Sequence, residues 1–122
     1  MLIRTFSKCD LNVKRRLVQL FCTNFYACAL WSTYTLDVMS RLKVAYNRVV
    51  RHFFGLEYTD SISQFLVEND LPVFSVLMRK YIFNFRSRVL TSNNGIVKCL
   101  INWCSFSDCS MNKEWTKRLY CF

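Results

Sequence analysis

Glycine and proline are nearly missing from this chain, with two Gly and one Pro among 122 residues. Sandwiches and barrels need a tight turn at almost every strand junction, and such turns draw on those residues. An all-β architecture is therefore excluded, and long helices are the default. Histidine is scarcer still: His52 is the single one, so the usual general base and commonest metal ligand are almost absent. No Ser-His-Asp or Cys-His set can be assembled without it. No Asp-Asp or Asp-x-Asp pair offers carboxylates to two metal ions, and no glycine-rich phosphate loop occurs. The chain is expected to be no enzyme by itself, with no cofactor and no small-molecule substrate. Acidic residues are also few, eight against 17 Lys and Arg, giving a formal charge of +9. Partners that answer such a charge are polyanions, either nucleic acid or an anionic membrane surface.

What is present in quantity is apolar: hydrophobic residues make up 52% and aromatics 16%. That is ample for one small domain of this length. A domain of this size buries only about two thirds of its unfolded-chain surface, so some large apolar groups stay uncovered unless a partner covers them. The seven Cys are an odd number without a convincing signal peptide. They read as reduced thiols of an intracellular protein, nuclear or cytoplasmic, mostly buried as small hydrophobes. Cys99, Cys104 and Cys109 recur every five residues with Cys121 beyond. On a helix that spacing turns successive thiols by about 140°, which does not wrap a tetrahedral ion, so no metal is expected.

A rival reading is a small basic membrane protein anchored by residues 17–36, where no charge interrupts the run and Lys14, Arg15 and Arg16 stand just before it. Against it, the run holds Gln19, Thr23, Asn24, Ser32, Thr33 and Thr35. Polar side chains are costly in hydrocarbon without partners. A secretory peptide cleaved near Ala27-Cys28-Ala29 meets the same objection.

Hydrophobic periodicity predicts an all-α, small irregular bundle of four to five helices in a single domain, with residues 105–122 as a loosely ordered tail. Ser7 and Asp10 suit a capping-box variant opening a first helix over about 8–31, with Asn24 on its apolar face as a paired core amide. A second helix runs from Leu36 to Phe54, with Met39, Leu42, Tyr46, Val49, Val50 and Phe53 on one stripe and Gly55 as a left-handed cap. Ser61 caps a short helix to about Glu68. Asp70-Leu71-Pro72 opens the next, whose stripe includes Phe74, Leu77, Met78, Tyr81, Ile82, Phe85 and Val89. Thr91 to Gly95 is a turn before a weaker helix over 96–104, and one closing turn falls near Trp115 to Tyr120.

Three basic clusters lie on these helices: Lys14, Arg15 and Arg16; Arg41, Arg48 and Arg51, within about 80° of each other beside His52; and Arg79, Lys80 and Arg86. Each alone reads as a solvated helix face. Together, with few acids to balance them, they form a candidate track that neutralises phosphates of an RNA–DNA or DNA duplex without reading bases. Tyr58, Phe83 and Trp115 are aromatics that could stack on bases, although a stripe of aromatics is more often core.

Phe6-Ser7-Lys8-Cys9 with Val13-Lys14, then Leu20-Phe21-Cys22-Thr23 with Tyr26 and Leu30-Trp31, resembles the stretch after the palm in non-LTR (LINE-type) retrotransposon reverse transcriptases. Tyr46 to Ser61 continues the resemblance, with spaced arginines and a Gly55-Leu56-Glu57-Tyr58 turn. Asp70-Leu71-Pro72 with Arg79 and Phe83, Ser92-Asn93-Asn94 and Ile96-Val97 complete it, from about Arg4 to Cys104. Glu57 stands where that family has proline, and Asp60 where it has His or a polar residue. The resemblance implies a thumb-like helical module that grips the template–primer duplex beside a polymerase core. The family's palm motif, Tyr or Phe-Ala-Asp-Asp, is not in this sequence. The chain would thus be a non-catalytic piece of an RNA-directed DNA polymerase, and Met1 an internal methionine of a truncated or decayed transposable element.

Overall fold

The computed structural model describes residues 2–25, 27–103 and 106–120. Among them are seven α-helices and no strand. The helices are α1 (Leu2–Phe6), α2 (Leu11–Leu17), α3 (Leu36–Phe54), α4 (Ile62–Glu68), α5 (Phe74–Leu90), α6 (Gly95–Asn102) and α7 (Ser110–Tyr120). A π turn, Val18–Cys22, continues α2, and a 3-10 segment covers Cys28–Thr33. The protein is all-α, with more and shorter helices than the four to five expected. The residues group into two compact units, 1–24 with 35–77 and 25–34 with 78–122, a finer division than length alone suggests.

The expected helix over 8–31 is not continuous, for local reasons. Asp10 takes the N-cap position of α2 without a side-chain cap bond, and Ser7 Oγ donates backwards to Arg4 O at 3.5 Å, so no capping box forms. At the far end, Thr23 Oγ1 donates to Gln19 O at 2.6 Å and Asn24 Nδ2 to Leu20 O at 2.8 Å. Short polar side chains that take the helix's own carbonyls compete with the next turn of backbone bonds. Asn24 is exposed rather than a core amide, and Ala27 turns into the left-handed region at φ 55°. Residues 17–36 thus hold a π turn, a kink and a 3-10 segment, and among the described residues no helix is long and apolar enough to cross a membrane.

In the first unit α3 matches its expected bounds. Thr35 Oγ1 accepts from Val38 N, and Gly55 closes the helix at φ 67° with Leu56 N donating to Arg51 O at 2.9 Å. Met39, Tyr46, Val50 and Phe53 are buried. Val49, expected on the same stripe, is 43% exposed. Ser61 caps α4 as expected, accepting from Gln64 N. Pro72 does not open a helix, because the chain first completes a C-terminal cap. Asp70 is left-handed at φ 53°, Asp70 N donates to Val67 O, and Leu71 N donates to Leu66 O at 2.8 Å. That pair is the Schellman motif, and its two apolar residues, Leu66 and Leu71, are both buried. Pro72 stands just outside α5, where its carbonyl accepts from Tyr46 Oη at 2.8 Å.

In the second unit the tail carries more order than one closing turn. Helix α7 spans Ser110–Tyr120, and Met111, Trp115 and Leu119, four residues apart, share its inner side. Trp115 is 1% exposed in a core with Ala29 and Ile82, its indole donates to Ala29 O at 2.7 Å, and Phe85 meets it edge to face at 5.5 Å. Asn94 caps α6 by accepting from Ile96 N and Val97 N. Of the five described cysteines only Cys28 is buried, Cys99 is exposed, and Cys9, Cys22 and Cys109 lie between, so burial as small hydrophobes holds for one. Cys104 and Cys121, and Tyr26, lie outside the described residues.

Candidate nucleic-acid interface

The nine cations picked from the sequence separate once their partners are counted. Lys14, Arg15 and Arg16 stand near the end of α2, which the π turn continues. Arg15 is half-buried and pairs with Asp70 at 3.6 Å, whereas Arg16 is exposed. On α3, Arg41 pairs with Asp37 one turn earlier at 3.1 Å. Both groups are well exposed, and such a pair contributes only about 0.3–0.5 kcal/mol, so a phosphate can displace it. Arg48 is exposed and, among the described residues, has no ion pair.

Arg51 has a different role. Its Nη1 donates to Glu57 O at 2.6 Å and to Tyr58 O at 3.4 Å, and its Nη2 donates to Asp60 O at 2.8 Å. The guanidinium thus holds the connector after α3, whose own closure is Glu57 N to Asp60 Oδ2 at 2.9 Å. Asp60 supplies that closing carboxylate. Both α2 and α3 belong to the first unit and touch each other, and of the cations picked from the sequence on them Arg16, Arg41 and Arg48 face outward.

Arg79, Lys80 and Arg86 lie on the part of α5 in the second unit. Lys80 is exposed, while Arg79 and Arg86 are half-buried. Arg86 Nε donates to Asn112 Oδ1 at 3.4 Å, so part of its charge is spent inside the unit. Among the aromatics, Tyr58 is 96% and Phe83 58% exposed, and both can present a ring to a base. Trp115 cannot, because it is a core residue. Helix α7 adds Lys113 and Lys117, exposed cations left without a role by the sequence reading.

No protein-family model matches the chain, and no curated protein or solved structure matches it.

Proposed function

We propose that the chain is a non-catalytic helical module that holds the sugar–phosphate backbone of a nucleic-acid duplex, and that it derives from the post-palm region of a LINE-type reverse transcriptase. The observation that carries the binding reading is the outward placement of Arg16, Arg41, Arg48 and Lys80 on a chain of charge +9, with Arg41 held only by its exposed pair to Asp37, while Arg15 is drawn to Asp70 and Arg51 into the 57–60 connector. Cations left facing solvent neutralise phosphates without reading bases. Leu20, Phe21 and Leu36, exposed by 61%, 64% and 87%, are apolar surface that a polymerase core would cover.

Equilibrium binding of a labelled DNA duplex and an RNA–DNA hybrid across a salt series tests this reading. Both should bind, with log affinity falling by about 0.9 for each phosphate contact per decade of salt. Absence of binding at low salt, or affinity independent of salt, refutes it. The coding sequence upstream of Met1 tests the origin, where a palm with paired aspartates is expected.

A further inference from the structure

The side of α7 turned away from the Trp115 core has no part in the duplex contacts just described. At about 100° per residue, Lys113, Thr116, Lys117 and Tyr120 fall within about 100° of one another, opposite Met111, Trp115 and Leu119. Together with Ser107 and Asn112 they line a shallow concavity of about 460 Å³ in the second unit. That volume lies within the range of about 300–1,000 Å³ typical of small-molecule sites.

The lining is ordered by its own hydrogen bonds. Thr116 Oγ1 donates to Asn112 O at 2.9 Å, Asn112 Nδ2 to Ser107 O at 3.5 Å, and Asn112 Oδ1 receives Arg86 Nε. The two lysines stand one helical turn apart. Lys113 reaches Asp108 at 3.3 Å, but with both groups more than 60% exposed that pair is weak enough to yield to a stronger anion. Lys117 has no ion pair among the described residues. Tyr120 is 81% exposed, an aromatic ring that the core does not explain.

Two cations beside an open aromatic ring fit a phosphate joined to a flat base. We propose that this concavity binds one nucleotide of a single-stranded nucleic acid, its phosphate between Lys113 and Lys117 and its base stacked on Tyr120. Bases inside a duplex have no free face, so the site selects unpaired strand, and stacking on tyrosine makes it tolerant of sequence. The inference rests on the nucleic-acid reading and deepens it: the outward arginines hold paired backbone, and α7 takes an unpaired overhang.

The test uses the full chain with two probes, a labelled oligothymidylate and a labelled duplex. Tyr120→Ala should weaken the oligothymidylate at least about fivefold and leave its salt slope unchanged, because stacking releases no counterions. Tyr120→Phe should retain binding, since the ring stacks without its hydroxyl. The double change Lys113→Gln and Lys117→Gln should flatten the single-strand slope by about 1.4. All three variants should keep the wild-type melting temperature and duplex affinity. Oligothymidylate binding that ignores Tyr120 while duplex binding persists overturns this inference alone. A chain that binds oligothymidylate through Tyr120 but does not bind duplex overturns the duplex reading alone, and one that binds neither overturns both.

Discussion

Arg51→Gln should cost stability, and Arg48→Gln should cost duplex affinity, although the two arginines lie within about 60° on the same helix. Arg51 makes two short charge-assisted bonds, to Glu57 O at 2.6 Å and Asp60 O at 2.8 Å, and a longer one to Tyr58 O at 3.4 Å. Bonds to charged donors contribute about 1.5–3 kcal/mol each in protected surroundings, and less where water replaces the lost donor, as it can at this exposed connector. About 1–2 kcal/mol in total is the reasonable figure for the loss. For a chain of this length that lowers the melting temperature by roughly 3–10 °C. Glutamine keeps helix propensity, so the loss reads the clamp and not α3 itself. Arg48 touches no acidic group among the described residues, and its replacement should move stability by no more than about 0.5 kcal/mol. Its effect should appear as a duplex salt slope smaller by about 0.9. Urea titration followed by duplex binding on the same preparations reads both quantities. An Arg51→Gln protein with an unchanged urea midpoint and a flatter salt slope would refute the assignment, because the guanidinium would then leave the connector for phosphate.

Trp115→Ala should remove about 3–5 kcal/mol, since it empties the middle of the second unit's core and leaves Ala29 O without its donor; retained near-ultraviolet circular dichroism and an unshifted urea midpoint would contradict this. The two glycines should respond with opposite signs to alanine. Gly55→Ala should destabilise by about 1–2 kcal/mol because of the positive φ alone, as an added Cβ meets nothing within 4 Å. Gly95→Ala, at the start of α6 and equally uncrowded, should stabilise by about 0.5 kcal/mol, and thermal melts giving both changes the same sign would disprove the backbone argument. Burial, with a smaller contribution from Cys22, pushes the Tyr46 phenol up to about 12. A folded value above the unfolded one of about 10 means that its contribution is complete below pH 10 and is lost as pH rises toward 12. The difference in stability between wild type and Tyr46→Phe should therefore shrink across that window in urea titrations, and a constant difference would refute it.

Helices whose ends are encoded locally were legible before the structure. Thr35, Ser61 and Asn94 sit within three residues of the groups they cap, and Gly55 four residues from Arg51 O, so α3, α4 and α6 could be read from a short stretch of chain. Helix α7 was far less legible because its reason for existing is distant. Only Met111, Trp115 and Leu119 mark its inner side among Ser, Asn and Lys, and the carbonyl that receives Trp115 is 86 residues away at Ala29. The four-residue spacing of those three was the available signal, and it was masked by the polar composition between them. Asp70 escaped notice for a related reason, since left-handed caps are expected at Gly or Asn and the adjacent Pro72 drew the helix start toward itself.

The candidate site shows the same limit in electrostatic form. Helical projection puts Arg41, Arg48 and Arg51 on one side, but it does not show which way the carbonyls of the next connector point. Arginine near a helix C-terminus, followed by glycine and a short loop, was the pattern that could have identified Arg51 as a clamp. A sequence count of cations therefore measures how much positive charge the chain carries, whereas a polyanion meets only the part that the fold leaves turned outward. Of the three arginines picked on α3 that part keeps Arg41 and Arg48, and α7 adds Lys113 and Lys117 to it.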